Sequence, residues 1–166
     1  MKKVFSWIKE ILFLVVVIAV VLNLISYLKR PDIKSPILPQ FELISIDKKT
    51  INSDDFKGEP LIIHFWATWC PACKLEAPNI QSLSKKANVI TVAVNSGTNE
   101  ELKTFLKKRE FDFVVFNDLH GEFASKFQVS SFPTTFIYDK SGEISSIEVG
   151  YTSTLGLKIR YFIADR

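Results

Sequence analysis

From Ile11 to Leu28 the chain reads ILFLVVVIAVVLNLISYL, eighteen residues without a charge, of which only Asn23, Ser26 and Tyr27 are polar. At about 1.5 Å per residue a helix of this length roughly spans the hydrocarbon core of a bilayer, and Val4, Phe5, Trp7 and Ile8 extend it. The run is apolar on every face rather than along one stripe, so it reads as a membrane span and not as a buried core helix. Lys2, Lys3 and Lys9 precede it, and Lys29 and Arg30 follow it. No small-x-small cleavage site stands before Pro31, so the expectation is an uncleaved signal anchor over residues 11–28. Residues 1–10 are then a cytoplasmic tail, although positive charge on both flanks biases the orientation only slightly. Residues 29–39, KRPDIKSPILP, hold three prolines among mixed charges and predict an extended, semi-rigid tether.

From Gln40 the pattern changes to alternating strand and helix signals. FELISI (41–46) and residues 48–54 predict a hairpin. LIIHFWA (61–67) is a continuous apolar run of the kind found in a central strand covered on both faces. Residues 71–87 have helical spacing, with Leu75, Ile80 and Leu83 as apolar positions. VITVAVN (89–95) predicts a second buried strand. Residues 99–110 predict a charged helix with Leu102, Phe105 and Leu106 inward. FVVF (113–116) predicts a short strand and residues 121–127 a short helix. TTFIYD (134–139) and ISSIEVG (144–150) flank a Lys-Ser-Gly turn as a hairpin, and residues 153–164 predict a closing helix. Strand–helix alternation followed by a hairpin indicates an α/β domain over residues 40–166, with a mixed central sheet flanked by helices.

Composition adds little except at the front of the chain, where the excess behind the 47% hydrophobic content lies. A net charge of +3 gives no reason to expect a nucleic-acid partner. The two cysteines, Cys70 and Cys73, are too few for the disulfide framework of a small secreted scaffold. A bridge closing so short a loop also constrains the unfolded chain less than a long-loop bridge does. A reaction centre or a metal clamp is left. Two thiolates suit soft Cu(I). A closed structural zinc site needs four ligands, and only His64 and His120 remain as histidine candidates.

The placement of the pair favours reaction chemistry. Cys70 follows a predicted buried strand and opens a predicted helix. The unpaired N–H groups and positive dipole end of a helix start favour a thiolate over a thiol. Pro71 fits the first helical turn, where a missing N–H costs nothing. Cys73 lies one turn on, within disulfide reach of Cys70. The more exposed Cys70 is expected to attack and Cys73 to resolve the mixed disulfide.

FWATWCPAC followed by KLEAP resembles the thioredoxin superfamily. Within it the chain is similar to the membrane-anchored extracytoplasmic branch: the TlpA, ResA and cytochrome-maturation (DsbE) thioredoxins and the copper-sensitivity-suppressor type. The resemblance covers roughly residues 38–166 and implies a thioredoxin-like fold and a redox-active Cys70–Cys73 disulfide. It implies a cis-proline loop at Phe132-Pro133-Thr134, packed beside the sulfurs and offering backbone groups to an extended substrate segment. Pro78 stands where the family kinks its active-site helix. Glu76 matches an acidic residue that ResA-like members keep near their cysteines, placed to tune a thiol pKa or relay a proton. Trp69, Phe132 and Thr134 are then substrate-contacting candidates, with Trp66 in the core.

His64 departs from the pattern, since thioredoxin itself carries an acid at this strand position. A neutral imidazole there would act as base for Cys73. A protonated one would stabilise a thiolate and make the pair more oxidising. A core histidine bonded to its surroundings is the plainer reading, as a solvated position is for Glu76 and for His120. The resemblance implies an enzyme without cofactor or metal, a thiol–disulfide oxidoreductase working as a reductant outside the cytoplasmic membrane. Its partners would be client proteins with cysteines or disulfides and a membrane thiol–disulfide electron partner. A disulfide-forming oxidant and a membrane-tethered copper-handling protein are the alternatives.

Overall fold

The computed structural model describes the backbone of residues 2–33 and 35–166. The side chains of Lys2, Lys3, Val4, Phe5, Ser6, Ile8, Ala19, Leu22, Asn23, Ile25 and Ser26 lie outside the described residues. The flanking lysines Lys2 and Lys3, the extending residues Val4, Phe5 and Ile8, and the polar Asn23 and Ser26 are among them. The chain divides into two compact units, Met1–Arg30 and Pro31–Arg166. In the first, α1 runs Lys2–Leu28 and leaves Phe13, Leu14, Val20 and Leu24 more than half exposed. Among the described residues, no helix is long and apolar enough to cross a membrane.

The second unit begins with an antiparallel hairpin, β1 (Glu42–Ile44) and β2 (Thr50–Asn52), followed by a 3₁₀ turn at Ser53–Phe56. Then come β3 (Leu61–Trp66), α2 (Pro71–Ser84), β4 (Val89–Val94), α3 (Asn99–Lys108), β5 (Val115–Asp118) and α4 (Glu122–Lys126). β6 (Thr134–Tyr138), β7 (Ile144–Val149) and α5 (Thr154–Ala164) close the chain. The main sheet has the order β5-β4-β3-β6-β7. β3, β4 and β5 are parallel, whereas β6 and β7 run antiparallel to their neighbours. The mixed sheet expected from the alternation is therefore present.

β3 lies at the centre of the sheet, and all six of its residues are buried. Alternate side chains of this apolar strand serve two cores. Ile62 and Trp66 pack with Ile80 and Leu83 of α2, Leu102 and Leu106 of α3, and Leu157 and Ala164 of α5. Leu61, Ile63 and Phe65 pack on the other face with Ala124, Phe127 and Phe136, and the hairpin's Leu43 and Ile51 lie against that cluster. α3 starts where its sequence says it should. Thr98 accepts a hydrogen bond from the Glu101 amide, and the Glu101 carboxylate accepts one from the Thr98 amide.

Element ends shift by up to three residues from the pattern-based expectation, as where α2 stops at Ser84 rather than at 87, and two segments differ in placement. The short strand lies two residues further along than FVVF. Phe113 stays off the ladder because it stacks on Phe111 and meets Trp66 edge-on. The ladder instead continues to Asp118, whose carboxylate accepts from the amides of Phe123 and Ala124 and so opens α4. The final part of the proline-rich segment is docked rather than free. The Pro36 carbonyl accepts from the Ile144 amide, the Leu38 amide donates to Gly142, and Ile37 bridges Glu143. Apolar Leu38 packs against the second core, which draws the segment onto the domain.

Candidate active site

β3 ends at Trp66, and a turn of three residues leads to Cys70 at the N-cap of α2. Thr68 holds this turn, its amide donating to Ser96 Oγ at 3.0 Å. Cys70 has extended backbone angles, and its Sγ accepts from the Cys73 amide at 3.1 Å. That amide is one of the helix-start donors without an intrahelical partner. When Cys70 is a thiolate the same contact becomes charge-assisted, and the helix dipole adds to it. Pro71 occupies the first helical position. Cys70 and Cys73 are joined in a disulfide with their Cα atoms 5.3 Å apart. Both are largely covered, Cys70 at 5% exposure slightly less so than Cys73 at 2%. α2 continues through the exposed Pro78 to Ser84.

Trp69 is 57% exposed beside the disulfide, while Trp66 is in the core. The Trp69 indole N–H donates to the Asn95 carbonyl at 3.1 Å, and its ring meets Phe132 edge-on at 5.7 Å. Asn95 has a positive φ of 47°, a left-handed conformation that asparagine tolerates better than most residues. The Phe132–Pro133 peptide is cis, the form the resemblance implies. Pro133 is buried and its carbonyl accepts from the Gly150 amide at 2.8 Å. Thr134 is buried as well, with its hydroxyl donated to the Ser131 carbonyl at 2.7 Å. Trp69 and Phe132 are thus the members of the expected contact set that reach the surface.

His64 is buried on β3, on the face between Ile62 and Trp66 that supports the cysteines. Its Nδ1 lies 2.9 Å from Thr135 Oγ1 on the adjacent strand. Burial pulls its pKa down to about 3, so the ring is neutral at physiological pH. The cationic option, which would have favoured a thiolate, is absent. Thr135 in turn pairs with Glu148 on β7, and Glu148 forms an ion pair with Arg160 of α5.

Glu76 lies one turn beyond Cys73 on α2 and is completely buried, not solvated. Its Oε1 accepts from the Thr152 amide at 3.2 Å, and its Oε2 is buried with no partner among the described residues. Burial pushes the Glu76 pKa up to about 8; the Thr152 bond opposes this and the charge of Glu148 adds to it. Asn79, one turn further along α2, donates to the Thr152 carbonyl and accepts from the Thr154 hydroxyl, holding that loop against the helix. Asn95, Thr152 and the Glu148–Arg160 pair escaped the sequence reading. The first two contribute backbone groups, which leave no side-chain signature, and the third is an ordinary charge pair until the fold joins β7 to α5. His120 is exposed on a turn. Among the described residues no group of three or more His, Cys, Asp or Glu side chains is gathered to hold a metal.

A redox cysteine pair capping a helix at the end of a central strand, with a cis-proline loop nearby, defines a thiol–disulfide oxidoreductase of the thioredoxin fold. The chain belongs to the AhpC/TSA family, whose profile matches residues 36–147. It is 30% identical over 165 residues to a thioredoxin-like protein of Haemophilus influenzae, covering 98% of each chain. It is 33% identical over 150 residues to the thiol-disulfide oxidoreductase ResA of Oceanobacillus iheyensis, covering 84% of this chain and 78% of that one. The crystal structure of StoA from Bacillus subtilis superposes with a TM-score of 0.66 at 26% identity, over 75% of this chain and 98% of that one.

Proposed function

We propose that this oxidoreductase is anchored in the cytoplasmic membrane by residues 11–28 and reduces disulfides of client proteins on the outer side. The observation that carries the reductive direction is the neutral, acidic surround of the pair. An oxidant of this fold depends on a strongly stabilised thiolate. Here burial keeps His64 uncharged, and the ionisable side chain one turn from Cys73 is a carboxyl. Neither group adds to the stabilisation that the helix start gives a Cys70 thiolate, and this supports the reductive direction.

In the proposed cycle the Cys70 thiolate attacks a client disulfide. A Cys70–client disulfide forms and one client thiolate leaves. Cys73 then loses its proton and attacks Cys70 Sγ, which releases the second client thiolate. The client has gained two electrons, and the enzyme is left as the Cys70–Cys73 disulfide, to be reduced by a membrane thiol–disulfide partner. Glu76, with a pKa near 8, is matched to a cysteine of ordinary pKa, about 8.5, for taking and returning the Cys73 proton. Trp69 and Phe132 present the surface a client meets, and the Pro133 loop presents its backbone. For the anchor, support comes from the uncharged run of residues 11–28 and from the uncovered apolar side chains of α1.

The test is the reduction potential of the Cys70–Cys73 couple in residues 31–166, equilibrated with a thiol–disulfide buffer. The expected value lies near the thioredoxin end, about −270 mV, and one near about −120 mV would make the protein an oxidant.

A further inference from the structure

The closing helix α5 is apolar on two opposite faces. Leu157 and Ala164 face inward and are buried, with Tyr161 half-buried beside them. Leu155, Ile159, Phe162 and Ile163 are each half to two-thirds exposed. At about 100° per residue these four fall on one arc together with Lys158, and Arg166 follows just past the helix end. No acidic side chain lies within that arc. Asp165 sits at its edge, in an ion pair with Lys140. The Arg166 guanidinium lies 4.8 Å from the centre of the Phe162 ring. A helix apolar all round is normally covered on all sides.

We infer that the outward face of α5 docks on the surface of the bilayer, with Leu155, Ile159, Phe162 and Ile163 at the acyl boundary and Lys158 and Arg166 among anionic headgroups. Large apolar side chains interleaved with basic ones, without acids, are the composition of an interfacial helix. Long basic side chains let the charge stay at headgroup level while their stems lie along the apolar surface. The position of the tether agrees, and this argument rests on reading residues 11–28 as the anchor. The chain joins the domain at the turn between β6 and β7, where Pro36 and Leu38 are hydrogen-bonded to Ile144 and Gly142. The Lys140–Asp165 ion pair ties that same turn to the last turn of α5. Only residues 29–35 separate Leu28 from this point, and seven residues reach at most about 25 Å. An anchor with so short a tether would hold the domain in the neighbourhood of lipid, where a weak surface affinity is multiplied by high local concentration.

Residues 31–166 form a compact unit with its own cores, and the StoA chain that matches three quarters of this sequence is solved without more. This unit would be sedimented with vesicles of phosphatidylglycerol and phosphatidylcholine, and with vesicles of phosphatidylcholine alone. Binding to the anionic vesicles is expected, with the bound fraction falling about tenfold or more in L155S/I159S/F162S and falling in K158E/R166E as salt would make it fall. These positions are exposed, and none of them belongs to the site around the disulfide, so disulfide reduction in solution should be unchanged in both variants. An unmodified unit that does not bind, or a triple variant that binds equally, overturns the inference. So does a dimer in sedimentation equilibrium that the triple variant dissociates, which would assign the face to a second copy of the chain. The anchor is tested separately, by whether the full chain stays with membranes under alkaline carbonate extraction. Loss of the anchor removes the tether argument but cannot produce or abolish vesicle binding by residues 31–166.

Discussion

Cys70→Ser is expected to lower turnover with a disulfide-bonded client by about 10³-fold or more, to the uncatalysed background. The residue caps α2, and its sulfur alone receives the helix-start amide of Cys73. A serine hydroxyl in that position keeps the hydrogen bond and loses the nucleophile, since its oxygen is not ionised near neutral pH. Cys73→Ser should behave differently. The first attack still occurs, because Cys70 remains at the helix start, but nothing resolves the product. The expected result is a stable covalent adduct between enzyme and client, visible on a non-reducing gel and released by dithiothreitol. The more deeply covered position of Cys73, inside the first turn of the helix, makes it the poorer attacking group. Adducts that accumulate in Cys70→Ser and not in Cys73→Ser would reverse the two roles.

The parts of this site that could be read in advance are those carried by local pattern. LIIHFW announces a strand covered on both faces by its unbroken apolarity, and Pro71 after Cys70 announces a helix start. Both are found as expected. The closing hairpin and α5 were legible for the same reason. The cis-proline loop came from family resemblance, because Ser-Phe-Pro-Thr alone does not declare its isomer. The offset of β5 has a different origin. Asn117 and Asp118 look like turn residues, yet Asp118 ends a strand because its carboxylate caps the next helix. The sequence alone is compatible with a neutral or a protonated His64, and burial chooses the neutral one. Glu76 needed the fold in another way. Its depth depends on the loop at Thr152, 76 residues later, coming to rest against α2.

Glu76→Gln is expected to slow exchange by about 10²-fold near neutral pH and to erase an inflection near pH 8 from the pH–rate profile. Glutamine keeps the shape and the Thr152 hydrogen bond but cannot carry the Cys73 proton. A variant that still bends near pH 8 would assign that proton to a cysteine. A stability measurement on the disulfide form, in which neither cysteine titrates, gives a second readout. The Glu76 pKa is raised on folding, from 4.5 to about 8. The folded chain therefore holds the proton more tightly than the unfolded chain does. Its contribution to stability is fully present below about pH 4.5 and is lost as pH rises through about 8. His64 acts in the opposite sense, since its pKa falls from 6.5 to about 3. Its contribution is present above about pH 6.5 and is lost as pH falls toward 3. The two slopes oppose each other between about pH 4.5 and 6.5, where urea unfolding should be least sensitive to pH. Above pH 6.5 only the Glu76 slope remains, so the unmodified domain should lose on the order of 2 kcal/mol by pH 9. Glu76→Gln should stay nearly flat over the same range and so become the more stable protein at alkaline pH, while the catalytic cycle it supports runs slower.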